Sequence, residues 1–319
     1  MSKFDTEVVI GSEGMGTWIE PHLSNFLKVI FPNTKITFKN TEDCDLIVRS
    51  HFMTPDCMTP MNIPFYGGKL EKRWNTKQKP YVYWSGESWS VKESEYHTNY
   101  VHINSSNHNL DAIYLPYFAS SSYFIKSRDG TEGIRHTNKN RKHMLAYCSS
   151  HKTENREKIF NRFVELVGEE NCHSFGKCYG KYKRTNRKLA GWDAHGTDLL
   201  SVYSEYNFVI AMENVDVPGY ITEKIMNAYS GGAIPIYWGT SEVNEFFNKD
   251  SFVNVSDFDS IDECVEYVIN METEKIHWMM DQPIFNEHSK YGDIINIHKN
   301  DDFYEKNAGK LLPLFGGLK

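Results

Sequence analysis

The sequence reads as an α/β protein made of two Rossmann-like, doubly wound domains facing a cleft. Three observations point there. Strands alternate with helices in both halves. The pattern restarts after Lys126 to Lys142, a charged run with glycines and almost no large apolar residue, which is the expected linker. The length of 319 residues suits two domains at roughly 100–200 residues each. The expected partition is 1–135, 136–290 and a closing helix and tail, 291–319, packing across the domains.

Composition narrows the classes. With 40% hydrophobic and 14% aromatic residues the chain can fill substantial cores, so disorder is excluded as its main state. Lys and Arg number 35 against 42 Asp and Glu, a net charge of −7, which argues against nucleic acid as a partner. No run approaches the roughly 18 apolar residues of a membrane span, and Met1 to Glu7 lacks the layout of a signal peptide. A soluble, cytoplasmic protein is expected. Its six scattered cysteines include no Cys-x-x-Cys pair, so reduced thiols are the expectation. The sequons at Asn104 and Asn254 carry no weight without secretion.

Taken in order, Glu7 to Ile10 is a strand that enters a glycine-rich turn through Gly11, Gly14 and Gly16, and Trp18 to Ile30 is a helix. The glycine spacing is not the Gly-x-Gly-x-x-Gly of a dinucleotide site, which counts against an NAD-dependent oxidoreductase. Strands follow at Lys35 to Phe38 and Asp45 to Arg49. Beyond a loop from Phe52 to Gly68 comes the strand Pro80 to Trp84, which ends at Ser85-Gly86-Glu87. Tyr100 to Ile103 and Ala112 to Pro116 complete the first half. The second half opens with the strand Met144 to Cys148 and a helix from Asn155 to Val167, whose Ile159, Phe160, Phe163, Val164 and Val167 recur at helical spacing. Cys172 to Phe175 is a short strand, Lys181 to Arg187 a basic loop, and Asn207 to Met212 a buried strand. Next come a helix from Thr222 to Ser230 and strands at Ala233 to Trp238 and Ser251 to Val255. A helix capped around Asp259-Ser260 runs to Met271.

The chemistry concentrates in Met212-Glu213-Asn214 and Tyr220-Ile221-Thr222-Glu223-Lys224, where an apolar strand opens into a polar turn and a helix begins. Helix N-termini expose unpaired N–H groups and a positive dipole, and so receive phosphates. Lys224 in the first turn opposes that dipole unless an anion lies beside it. Glu223 would repel a phosphate but suits a ribose diol. Taken alone, a Thr-Glu-Lys triplet is usually an ordinary capped helix start.

The whole segment, running on to Pro235-Ile236-Tyr237-Trp238-Gly239, resembles the donor-binding signature of the family 10 α-1,3/4-fucosyltransferases in order and spacing. The loop Cys148-Ser149-Ser150 followed by Arg156, and the strand end Tyr83-Trp84-Ser85-Gly86-Glu87, are similar to further elements of that family. Ser150, Met212 and Val215 depart from it, standing where Asn, Phe and Ser are usual. The N-terminal third is poorly matched, so acceptor choice does not transfer.

The resemblance implies a GT-B-type inverting glycosyltransferase of the soluble bacterial kind. It would move L-fucose from GDP-fucose to a hydroxyl of an oligosaccharide or glycan, with the 3-OH of GlcNAc or Glc as the expected attacking group. Residues 1–135 would then bind the acceptor and 136–290 the donor. Glu87 would be the general base, Arg156 and Lys224 the cations on the diphosphate, and Ser149, Asn214, Tyr220, Thr222 and Glu223 further donor contacts. The structural alternatives are a strand-end carboxylate for Glu87, a turn residue for Asn214, a packing ring for Tyr220 and a helix-surface cation for Arg156. A same-fold enzyme with another nucleotide sugar, or a non-catalytic glycan- or nucleotide-binding module, is the competing reading.

No cofactor or metal is required, a divalent ion being at most a non-essential stimulant. Asp257-Phe258-Asp259 spells an Asp-x-Asp pair but directly precedes a capped helix, so cap and turn duty is expected. Cys172, His173 and Cys178 lack zinc spacing. Trp84, Trp89, Tyr96, Tyr100, Tyr117 and Phe118 crowd the region of Glu87, mostly as core, with one or two expected against an acceptor sugar.

Overall fold

The computed structural model describes residues 6–12, 19–39, 41, 43–50, 79–88, 99–107, 111–120, 139–183 and 197–316. The turn through Gly14 and Gly16, the loop Phe52 to Gly68, Trp89, Tyr96, residues 126–138 of the expected linker and 184–187 of the basic loop lie outside these. The chain divides into two units, one formed by Met1–Ile125 with Asn296–Lys319 and the other by Lys126–Ile295.

The first unit holds a six-stranded, wholly parallel sheet of β1 (Glu7–Ser12), β2 (Lys35–Lys39), β3 (Leu46–Ser50), β4 (Tyr81–Ser85), β5 (Tyr100–Asn104) and β6 (Ile113–Tyr114), in the order β2-β1-β3-β4-β5-β6. Helix α1 (Glu20–Ile30) buries His22, Leu23, Phe26 and Leu27, the i, i+1, i+4, i+5 stripe of an amphipathic helix. The closing segment, expected to run across the domains, groups with this unit. Its helix α7 (Asp302–Ala308) sets Phe303 and Tyr304 against Phe26, at ring separations of 5.6 and 5.0 Å.

The second unit carries a five-stranded parallel sheet of β7 (His143–Tyr147), β8 (Cys172–Ser174), β9 (Tyr206–Ile210), β10 (Ile234–Tyr237) and β11 (Val253–Asn254), ordered β11-β10-β9-β7-β8. Its longer helices are α2 (Glu154–Val167), α3 (Thr197–Tyr203), α4 (Glu223–Ser230), α5 (Ile261–Ile269) and α6 (Thr273–Asp281). Alternation along the strands feeds two cores. Leu145, Tyr147, Phe208, Ile210, Ile234 and Ile236 join Ile159, Phe160, Phe163 and Val164 of α2 and Cys264, Val265 and Val268 of α5. Ala146 and Val209 face the other way, with Leu199, Val202 and Tyr203 of α3 and Ala228 of α4. Apolar burial on both faces is what a parallel sheet under helices requires, and each large side chain contributes about 1.5–3 kcal/mol.

Two expected strands are shorter than the sequence suggests. Ala112 to Pro116 contracts to Ile113–Tyr114, and Ser251 to Val255 to Val253–Asn254. The second is cut by flanking 3-10 turns, where the Asn248 and Asn254 side chains accept from the Asp250 and Ser256 N–H groups at 3.1 and 3.2 Å. Such local bonds compete with a sheet ladder. Among the described residues no helix is long and apolar enough to cross a membrane.

Candidate active site

In the second sheet the chain lays β7 first, places β8 on one side and then crosses to place β9 on the other. The loops leaving the carboxyl ends of β7 and β9 therefore flank the topological switch point, the usual ligand position of such sheets. Ser149 and His151 follow β7, and Met212, Glu213 and Asn214 follow β9.

Arg156, in the first turn of α2, is only 2% exposed and lies between these two loops. Its Nε donates to the Met212 carbonyl at 2.9 Å and its Nη2 to the same oxygen, while Nη1 donates to Ser149 Oγ at 3.1 Å and the His151 carbonyl at 3.3 Å. Four of the five guanidinium N–H donors are thus engaged, tying together loops 56 residues apart in sequence. Burial lowers the Arg156 pKa, and Glu213 acts most strongly in the opposite sense.

The loop after β8 fixes Ser149 from its other side. Lys177 and Cys178 donate backbone N–H bonds to the Ser149 carbonyl at 2.8 and 3.2 Å. A Cβ on Gly176 would come within 2.2 Å of that oxygen, so only glycine fits there.

Glu213 is fully buried, and its carboxylate accepts four contacts. The Thr222 N–H reaches Oε1 at 2.8 Å, the Thr222 hydroxyl lies 2.9 Å from either oxygen, and Lys224 Nζ lies 3.0 Å from Oε2. Lys224 Nζ also donates to Thr222 Oγ1 at 2.7 Å. Thr222 is the N-cap of α4, yet its hydroxyl faces Glu213 and not the helix's own N–H groups. The Glu213 backbone N–H bonds the Trp238 carbonyl beyond β10 at 2.7 Å. Gly239 backs the site, since a Cβ there would meet Glu213 Cγ at 3.0 Å and Tyr237 Oη at 2.7 Å. The turn between Glu213 and Thr222 closes through Gly219, at φ +73°, whose N–H bonds Thr240 Oγ1 at 3.3 Å.

Lys224 keeps 27% of its side chain exposed. Burial works against its charge, but Glu213 and then Glu223 outweigh burial and raise its pKa. One anion beside Lys224 is therefore supplied by the chain itself, at the helix N-terminus.

Of the residues expected in the site, Ser149 and Arg156 stand in contact, as do Thr222 and Lys224, and Glu213 carries the second pair. Asn214 is half-buried directly after Glu213, Tyr220 is buried with its N–H on the Val217 carbonyl at 3.0 Å, and Glu223 is half-buried as the first residue of α4. Arg156 is no surface cation. Sequence reasoning places Glu213 in the motif and gives it no role. The signal was a carboxylate directly after a buried strand, facing a lysine eleven residues on.

In the first unit, Glu87 is half-buried two residues past the fully buried β4. Trp84 is 1% exposed, stacked on Tyr117 at 6.2 Å, and Phe118 is fully buried, so these two rings are core and not acceptor platforms. A Cβ on Gly86 would meet both Trp84 and Tyr117 at 3.0 Å, which leaves the chain little freedom just before Glu87.

Among the described residues no three His, Cys, Asp or Glu side chains gather as a metal cluster. Asp257 receives Asn254 Nδ2 at 3.4 Å, and the Asp259 N–H bonds Glu263 while the Ser260 hydroxyl caps the Glu263 N–H at 3.1 Å. Cys172 and Cys178 are buried thiols, and burial pushes Cys172 up to about 12.

Residues 137–281 match the family model for glycosyltransferase family 10 (fucosyltransferase), C-terminal part. Over 72 residues the chain is 47% identical to an α-(1,3)-fucosyltransferase of Helicobacter pylori, covering 23% of this chain and 15% of that protein. It is 32% identical over 143 residues to an α-(1,4)-fucosyltransferase of Arabidopsis thaliana, covering 41% and 34%. The chain spans about a third or less of these relatives' length. Its fold is similar to the crystal structure of an α1,3-fucosyltransferase with GDP-fucose, at a TM-score of 0.64 over 100% of this chain and 93% of that one, with 17% identity.

Proposed function

We propose, from the match of residues 137–281 to the model of glycosyltransferase family 10, that the chain is an inverting fucosyltransferase that moves L-fucose from GDP-fucose to a hydroxyl of a glycan acceptor. The observation that carries this reading is the placing of Arg156 on the Met212 carbonyl and of Lys224 on the Glu213 carboxylate, adjacent residues after β9, beside a helix N-terminus at the switch point of a parallel sheet. That is where a nucleotide diphosphate binds in sheets of this kind.

The attacking oxygen loses its proton to Glu87 as it bonds to the anomeric carbon, and the bond from that carbon to the diphosphate breaks with its electron pair leaving on GDP. Charge grows on the diphosphate as this happens, so fixed cations lower the barrier more than they tighten ground-state binding. Arg156 and Lys224 supply that charge, with Ser149, Asn214, Tyr220 and Thr222 as neutral partners and Glu223 toward the ribose. These groups supply the stabilisation without a divalent ion.

The test incubates the protein with GDP-fucose and a panel of glycan acceptors. Transfer by the wild type and its loss by several orders of magnitude in Glu87→Gln, with GDP affinity kept, is the expected result. Arg156→Ala should weaken GDP binding by about tenfold to a hundredfold, the worth of a charge-assisted hydrogen bond. An active Glu87→Gln would remove the base, normal GDP affinity in Arg156→Ala would remove the diphosphate contact, and transfer only from another nucleotide sugar would remove the fucosyl reading.

A further inference from the structure

We propose that Glu213 is the positioning residue of the donor site, its buried carboxylate holding the Lys224 ammonium where it meets the donor diphosphate. The inference deepens the fucosyltransferase reading and rests on it for the identity of the donor.

A lysine ammonium is a point charge on a flexible stem and does not fix its own direction. Here two acceptors fix it, Glu213 Oε2 at 3.0 Å and Thr222 Oγ1 at 2.7 Å. Thr222 is itself fixed, because Glu213 takes both its N–H and its hydroxyl. Two of the three ammonium protons are thereby directed inward, and 27% of the side chain remains open to an incoming group. Glu213 in turn is fully buried and anchored by its N–H to Trp238, with the absent side chain of Gly239 making room for it.

Electrostatics alone predicts the opposite of positioning. A carboxylate beside an anion site repels the anion, so its neutralisation should tighten binding. Its presence here makes sense if what it gives is direction and charge on Lys224. The charged and titratable groups that act on Lys224 are Glu213, Glu223 and Arg156, and Tyr203 of α3 is coupled to Glu223.

Two measurements on Glu213→Gln test this. The first is GDP affinity by calorimetry near pH 7, where the expectation is a loss of about tenfold or more. Unchanged or tighter GDP binding would overturn the proposal. The second is independent of the donor: acetic anhydride labelling of Lys224 between about pH 8 and 11, read by mass spectrometry. Lys224 should become reactive at lower pH in the variant, since the charge that raises its pKa is gone, and an unmoved labelling profile would overturn the proposal. Should Glu213→Gln fail to fold, the double variant with Lys224→Met removes both charges of the pair together. It should bind GDP as Lys224→Met alone does, and a further large loss would overturn the assignment. A wild type that binds no GDP would sink the donor reading, while the labelling still decides whether Glu213 governs Lys224.

Discussion

Single side chains at the two edges of the second sheet are held in opposite electrostatic states. At the carboxyl edge, Glu213 keeps Lys224 charged. At the other edge His143 begins β7 and Tyr206 begins β9, and the His143 and His173 rings stand 4.5 Å apart, with His173 Nδ1 2.6 Å from Tyr206 Oη. Burial first, and then His143, hold the His173 pKa below the usual imidazole range, with Glu205 acting the other way. The folded state therefore binds this proton less well than the unfolded chain. Its contribution to stability is fully present above the unfolded value of about 6.5 and is lost as pH falls through that value toward the folded pKa. The melting temperature should drop between about pH 7 and 5, and His173→Gln should flatten that slope. An identical slope in wild type and variant would place the pH sensitivity elsewhere.

Helix ends set the next scale. Arg141 lies just before β7 and donates to the Ser204 carbonyl, to Gly231 O at 3.0 Å and to Gly232 O at 2.9 Å. These carbonyls lie just past the ends of α3 and α4, where helices carry orphan acceptors and a partial negative charge. One cation thus gathers two helices at the edge opposite the proposed donor site, and it fixes the far end of the helix whose first turn holds Thr222 and Lys224. Arg141→Ala is expected to cost at least about 2–3 kcal/mol, the worth of one to two charged hydrogen bonds of about 1.5–3 kcal/mol, as read by urea denaturation. A midpoint within error of wild type would contradict this. At the same scale, most elements were legible from their periods. The helix Asn155 to Val167 and the Ser260 cap are examples, while α6 was missed although Ile276, Met279 and Met280 follow i, i+3, i+4.

At the scale of the whole molecule, the chain returns after its second unit to complete the first. Besides the Phe303 and Tyr304 contacts on Phe26, Tyr304 Oη lies 2.9 Å from His22 Nδ1, and Phe315 meets Phe31 edge-on at 5.1 Å. Leu311 is fully buried. At about 1.5–3 kcal/mol per large buried side chain, four such groups rival the 5–15 kcal/mol that holds a domain folded. A chain ending at Ile295 should therefore lose the calorimetric transition of the first unit and keep that of the second. Retention of both transitions would show the closing segment to be dispensable.

The sequence alone determined which residues form strands and helices, because apolar periodicity and turn chemistry are local, and it marked the stretch of 206–239 where chemistry concentrates. It could not decide which of the marked groups meet. Arg156 sits under the Met212 carbonyl only because the crossing from β8 to β9 makes β7 and β9 neighbours. Trp84, read as a possible sugar platform, is sealed beneath Tyr117 by the packing of β4 and β5 against their surroundings. Glu213 looked like one more turn residue, and only burial in the tertiary fold makes its carboxylate need Thr222 and Lys224. Pairing and desolvation depend on distances that span the chain, and these a linear pattern does not contain.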